Sequence, residues 1–153
     1  MGSPIFARKW VQRKSLDKKG AILQVKTNDF SMTIATTNGS GSQSANNILM
    51  RAIFRMGVPV GGKNLFPSNI AGLPTWFSIR VNERGFCGRK PKADILVAMN
   101  KETLIEDQGQ LSSQGVFIYN ASLKKEPQDL QEGKVAIPID FNNFAKEVTN
   151  SIQ

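Results

Sequence analysis

The stretch that most restricts the fold runs from Phe30 to Gly57, "FSMTIATTNGSGSQSANNILMRAIFRMG". Phe30 to Thr36 is an apolar run rich in β-branched residues and reads as a buried strand. It breaks into Asn38-Gly39-Ser40-Gly41-Ser42-Gln43, where Ser40 to Ser44 can cap a helix. From Ala45 the residues Ile48, Leu49, Ala52, Ile53 and Met56 then recur at three- and four-residue intervals. That spacing puts them on one helix face, and Gly57 stops the helix. Strand, glycine-rich turn and helix in this order open a βαβ unit, so the chain is expected to build a layered sheet.

Downstream, Val58 to Val60 is short and contains a proline, but its position fits the second strand of that unit. Gly61 to Pro74, "GGKNLFPSNIAGLP", holds five glycines and prolines and reads as a long ordered loop in which Leu65, Phe66 and Ile70 seek cover. Thr75 to Val81 alternates, with Trp76, Ser78 and Arg80 on one face and Phe77, Ile79 and Val81 on the other. A return strand at Gly85 to Gly88 would make it a hairpin. Ala93 to Met99, Val116 to Asn120 and Val135 to Ile139 read as further strands, and Ala21 to Val25 as a weak edge strand. Lys101 to Gln110 and Phe141 to Ile152 read as helices. The pattern predicts a single α/β layered domain with a mostly parallel Rossmann-like sheet, helices on both faces and an inserted β-hairpin.

At 153 residues the chain has room for one such domain. It contains no histidine and one cysteine, Cys87, which removes histidine-based nucleophilic machinery and any internal disulfide. No catalytic residue and no metal ligand is therefore assigned. The apolar runs are strand-sized, well below the roughly 20 residues that cross a bilayer, and no signal-peptide pattern opens the chain, so a cytoplasmic protein without membrane contact is expected. The formal charge is +8, but seven of the twenty Lys/Arg and one of the twelve Asp/Glu lie in residues 1–27, so six of those eight charges belong to this leader. The leader reads as a solvated or docking arm, and nucleic acid is the disfavoured partner.

Gly39 and Gly41 stand where a dinucleotide fingerprint places its first two glycines, giving a tight turn and close backbone approach to a pyrophosphate at a helix N-terminus. The third position is Ser44, a partial match. An NAD site would want a carboxylate after the second strand to hold the ribose hydroxyls, and the sequence offers Gly61-Gly62-Lys63-Asn64 instead. A lysine there favours phosphate-rich adenine ligands such as coenzyme A. Ser40, Ser42 and Gln43 add neutral donors. The alternative, a purely structural turn with Lys63 in solvent, stays open on these residues alone.

"TTNGSGSQSANNILMRAIFRMGVPVGGKNLFPSNIAGLPTWFSIRVNERGF", followed by "DILVAMN", resembles the gamma domain of the 2-oxoacid:ferredoxin oxidoreductases. The "GKNLFPSNIAGLPTWFSIRV" form is most similar to the version fused ahead of the alpha domain in 2-oxoglutarate-type enzymes. The resemblance covers approximately Phe30 to Asp140. It implies an assembly in which a 2-oxoacid is oxidatively decarboxylated to acyl-CoA, with thiamine diphosphate and iron–sulfur clusters in partner domains or subunits and electrons passed to ferredoxin. It further implies alpha and beta chains as partners, and a gamma-like domain that covers the active site and helps hold coenzyme A but is not catalytic alone. Asn38, Gly39, Ser40, Gly41, Ser42 and Gln43 would lie near the phosphates with Lys63 and Asn64 nearby. Ser68 and Asn69 would shape a loop facing the partners. On these grounds residues 1–27 form a leader and 28–153 a gamma-like domain, one expected to be truncated at its C-terminus because family members continue further.

Asn100, at the carboxyl end of "DILVAMN", stands where open α/β sheets bind ligands and is a secondary site candidate. Trp76 and Cys87 read as strand-packing and hairpin residues, and Glu106-Asp107 as a solvated helix end. The runner-up function is a stand-alone nucleotide- or CoA-binding module without catalysis, followed by a nucleic-acid binder with a basic arm.

Overall fold

A computed structural model describes residues 28–66 and 70–151. The basic leader, the weak strand at Ala21 to Val25, and Ser68 and Asn69 lie outside the described residues. Among the described residues no helix is long and apolar enough to cross a membrane.

Six strands make one sheet: β1 (Asp29–Thr37), β2 (Val60–Leu65), β3 (Pro74–Asn82), β4 (Ala93–Ala98), β5 (Leu111–Asn120) and β6 (Val135–Ile139), in the spatial order β2-β3-β1-β4-β5-β6. β1, β4, β5 and β6 are mutually parallel neighbours, and β3 runs antiparallel to both β1 and β2. The helices are α1 (Ser42–Arg55), α2 (Leu104–Gly109) and α3 (Phe141–Ser151). The mostly parallel α/β sheet expected from the sequence is the one observed.

Two local expectations change. The second strand is not Val58 to Val60 but Val60–Leu65, so the first third of the supposed loop is ladder. The hairpin arm that pairs with β3 is this β2, which precedes it; Gly85 to Gly88 forms no strand. The glycines that argued for a loop are tolerated because β2 is an edge strand and because Gly62 lets α1 come close. A Cβ at Gly62 would stand 2.5 Å from the Met50 sulfur and 3.0 Å from the Phe77 ring. Bare backbone at that point is what admits the helix.

The ladder register sorts side chains onto two faces. Ile34, Phe77, Ile79 and Val81 form one buried cluster, packed by Ile53 of α1. Leu96, Ala98, Phe117 and Tyr119 point the other way and pack with Leu104 and Ile105 of α2. Helices thus cover both faces.

An apolar stripe on a helix ordinarily faces a core, yet the stripe read from α1 mostly does not. Ile48 is 69% and Met56 73% exposed, and Leu49 and Phe54 are exposed as well. Toward the sheet α1 presents Ser42, Asn46, Met50 and Ile53 instead.

Candidate functional site

The turn from β1 into α1 is built by two residues in the left-handed region, Gly39 at φ +86° and Gly41 at φ +77°, where a side chain would be strained. The Ser40 amide closes the turn onto the Thr37 carbonyl at 3.2 Å. A second loop clamps it from outside. The Asn38 amide donates to the Leu73 carbonyl at 2.8 Å, the Gly72 amide to the Asn38 carbonyl at 3.0 Å, and Asn38 Nδ2 to the Ile70 carbonyl at 3.0 Å.

Gly41 is the N-cap of α1 and brings no side chain, so no side-chain oxygen occupies the helix end. Ser44 and Ala45 turn their amides back to the Gly41 carbonyl. The amides of Ser42 and Gln43 have no partner among the described residues, as a helix's first turn dictates when no cap is supplied. Ser42 Oγ is fixed by Thr36 Oγ1 at 2.8 Å.

A cavity of about 330 Å³ opens at this helix end. Its rim is Asn38, Gly39, Gly41, Ser42, Gln43 and Ser44, and its wall and floor are Thr36, Asn46, Asn64, Thr75 and Phe77. Among the described residues no charged side chain lines it. The lining thus offers an anion the helix dipole, free amides, hydroxyls and carboxamides rather than a charged partner. Asn64 Oδ1 accepts from Thr75 Oγ1 at 3.3 Å.

Six residues expected at the site, Asn38, Gly39, Gly41, Ser42, Gln43 and Asn64, share this cavity. Ser40 is exposed on the turn outside it. Lys63 pairs with Ser78 and Asn64 with Phe77, so alternation puts Asn64 on the α1 side of the sheet and Lys63 on the opposite side. Asn100 does not line the cavity either. It is buried beyond β4, donates to the Thr36 carbonyl and Thr37 Oγ1 at 3.4 Å each, and accepts from the Glu102 amide at 2.8 Å, which ties the ends of β1 and β4 together. Ser68 and Asn69 lie outside the described residues.

Sequence reasoning missed Thr36, Asn46, Thr75 and Phe77, and read Ser44 only as a capping and fingerprint position. Asn46 had a signal: it lies four residues after Ser42 and three after Gln43, hence on the same helix face. Thr36 and Thr75 are cross-strand partners and needed the register to be seen together.

On the opposite face the expectation of a solvated Glu106-Asp107 is half overturned. Asp107 is 1% exposed; it accepts from Trp76 Nε1 at 2.6 Å and from Thr103 Oγ1 at 2.7 Å. Burial raises its pKa above 3.8 although both hydrogen bonds favour the carboxylate. At the far end of β1, Asp29 is paired with Arg80, whose hydrogen bond, helped by Asn82, holds it at about 2.

A family model described as pyruvate ferredoxin/flavodoxin oxidoreductase matches residues 31–153. Subunit alpha of 2-oxoacid:ferredoxin oxidoreductase 1 from Sulfurisphaera tokodaii is 29% identical over 95 residues, which cover 62% of this chain and 15% of that protein. Subunit alpha of 2-oxoacid:ferredoxin oxidoreductase 2 from Aeropyrum pernix is 25% identical over 101 residues, 66% of this chain and 16% of that one. The matched stretch thus spans about 15% of the length of these curated relatives. Among solved structures, 2-oxoglutarate:ferredoxin oxidoreductase from Magnetococcus marinus, with 2-oxoglutarate, coenzyme A and succinyl-CoA bound, superposes with a TM-score of 0.71 at 24% identity, over 81% of this chain and 22% of that one. Pyruvate oxidoreductase subunit PORC from Thermotoga maritima gives 0.64 at 17% identity, over 81% and 68% of the two chains. At these identities the two superpositions establish the shared fold.

Proposed function

The chain belongs to the pyruvate ferredoxin/flavodoxin oxidoreductase family, and from that premise we propose that it is a gamma-like domain of a 2-oxoacid:ferredoxin oxidoreductase that holds coenzyme A and docks onto catalytic partner chains. The reaction served is oxidative decarboxylation of a 2-oxoacid to its acyl-CoA, with electrons delivered to ferredoxin. Thiamine diphosphate and iron–sulfur clusters, carried by partner domains or subunits, supply the decarboxylation and electron transfer.

The observation that carries the reading is the uncapped start of α1 facing a 330 Å³ cavity. Free amides at Ser42 and Gln43 and the hydroxyl of Ser44 can donate to phosphate oxygens, and the N-terminal end of the helix dipole favours the negative charge. Gly39 and Gly41 keep the backbone bare so that a phosphate can approach. The Magnetococcus marinus enzyme named above was solved with coenzyme A and succinyl-CoA, which supports this ligand class for the present cavity. Docking is supported by Ile48 and Leu49 on α1 and Met56 at its C-cap, which leave neighbouring apolar area in water beside the cavity's helix, with Phe54 exposed on its other flank.

Titration of the isotope-labelled full chain with coenzyme A, followed by amide resonances, tests the binding role. The Ser42 and Gln43 amides are expected to move first and furthest. Saturating ligand that shifts neither would overturn the assignment of the cavity. Co-purification with alpha and beta partner chains tests docking, with Ile48→Asp and Met56→Asp expected to abolish it.

A further inference from the structure

We propose that Asn46 reads the ligand: its carboxamide, on the floor of the cavity, pairs with a neutral amide-like N–H/C=O edge of the molecule whose phosphate sits at the start of α1. This deepens, and rests on, the binding role proposed above.

Five carboxamides are buried among the described residues: Asn46, Asn82, Asn100, Gln108 and Asn120. Four have protein partners. Asn82 donates to Asp29 at 3.1 Å and accepts from the Arg84 and Phe86 amides, and Gln108 exchanges two bonds with the Gln128 backbone at 2.6 and 2.9 Å. Asn100 bridges β1 and β4, and Asn120 accepts from the Ser122 amide at 3.1 Å. Asn46 is 7% exposed and lines the cavity; its carboxamide has no hydrogen-bond partner among the described residues, and its polar atoms are not sealed from solvent.

Asn46 occupies a sheet-facing position that its helical neighbours Met50 and Ile53 fill with apolar groups, so its carboxamide gives up apolar packing for a polar edge that water or a ligand must meet. Asn46 lines the same cavity as Ser42 and Gln43, whose free amides lie one turn away. Two kinds of polar end therefore meet in one cavity. The amide end takes a phosphate; the Asn46 end, backed by Asn64 and Phe77 and without a charge, takes a flat or chain-like neutral group that both donates and accepts. In a phosphorylated thiol carrier that edge comes either from the adenine ring or from the amides of the pantetheine arm.

The test uses the full chain as wild type, Asn46→Leu and Asn46→Asp, titrated calorimetrically with coenzyme A, 3′,5′-ADP, 4′-phosphopantetheine and inorganic pyrophosphate, alongside thermal melts without ligand. Asn46→Leu is expected to weaken coenzyme A and one of its two halves by about tenfold or more, to leave pyrophosphate unchanged, and to keep or raise the melting temperature. Asn46→Asp, which loses the donor and adds a negative charge beside the phosphate, is expected to bind more weakly still. Selective loss of 3′,5′-ADP assigns the edge to adenine; selective loss of 4′-phosphopantetheine assigns it to the amide arm. Three results overturn the inference while leaving the cavity assignment standing: unchanged affinity for coenzyme A, uniform weakening of all four probes, or a lowered melting temperature in Asn46→Leu. Failure of the wild-type chain to bind any probe overturns both.

Discussion

On the α2 face of the sheet the most deeply buried polar side chain is Asp107, and each of its carboxylate oxygens has a donor, Trp76 Nε1 on one and Thr103 Oγ1 on the other. On the α1 face Asn46 is almost as buried and has no donor or acceptor among the described residues. Both residues sit in the first two turns of a helix that leans on the same sheet, so depth alone does not distinguish them. Partnership does. A polar group bonded within the interior fixes packing, whereas one beside an opening that bonds only to solvent marks a place where another molecule can take over the bonding. The adjoining cavities differ in the same sense. The one at the α2 face, about 290 Å³, has Arg89, Lys90, Glu106 and Asp107 on its lining and so balances charges internally; the one at α1 has no charged lining among the described residues.

The largest expected effect breaks the satisfied side. Asp107→Ala removes both acceptors, strands the Trp76 N–H and the Thr103 hydroxyl, and leaves a void against α2. The expected loss is about 2–4 kcal/mol in urea unfolding. Asp107→Asn can still accept from Trp76 and donate to Thr103, and is expected to stay within about 1 kcal/mol of wild type. Equal losses for Ala and Asn would mean that the carboxylate's charge, not its bonding, matters, and the contrast with Asn46 would collapse.

A smaller effect tests how closely α1 is held to the cradle. In Gly62→Ala the new methyl would crowd the Met50 sulfur and the Phe77 ring, and such overpacking costs about 1–3 kcal/mol. Part of that loss is expected back in Gly62→Ala combined with Met50→Ala, read by thermal melts. No recovery would show that Phe77, not the helix, resists the methyl.

These distances explain what the sequence could and could not disclose. β1, α1 and the parallel strands were legible because periodicity and β-branched runs are local signals, and so was the glycine turn, whose positive φ values demand glycine. The β2 ladder was hidden by Gly61 and Gly62, since glycine signals loops in general and the need for a bare strand under Met50 is visible only in three dimensions. Six of the eleven cavity residues were legible, five of them in the turn and the sixth, Asn64, on β2. Thr75, Phe77 and the facing of Lys63 depend on a pairing register between β2 and β3, which no single segment encodes. The burial of Asp107 depends likewise on a tryptophan donor 31 residues away.

A pH series sharpens the comparison further. Asp107 has a raised pKa in the folded state because burial disfavours its charge. Its contribution to stability is therefore fully present below its unfolded value of 3.8 and is lost as pH rises through the folded value. Asp107→Asn cannot titrate, so its stability relative to wild type is expected to climb as pH rises from 3 to 7. Asp29, held at about 2, works in the opposite direction: its contribution is present above 3.8 and fades as pH falls toward 2. Asp29→Asn is accordingly expected to lose most relative to wild type near neutrality and to converge with it in strong acid. A wild-type to Asp107→Asn difference that is flat with pH would mean that the carboxylate is not penalised by its surroundings.

The smallest effect is expected at Lys63. A lysine placed in the cradle would make charge-assisted hydrogen bonds to phosphate, and Lys63→Glu would then cost affinity strongly, at a level near the tenfold expected for Asn46. The observed register sends Lys63 to the other face, so it can act on a bound phosphate only through space. At a layer thickness of about 10 Å, each unit of charge contributes roughly 0.4 kcal/mol in water before salt screening, and reversal changes the charge by two units. Lys63→Glu is therefore expected to weaken coenzyme A by no more than about fivefold at low salt, and less than twofold at 0.15 M, where the Debye length is about 8 Å. A tenfold loss that persists at high salt would put the lysine in direct contact with the ligand, requiring β2 to pair with β3 one residue out of the observed register.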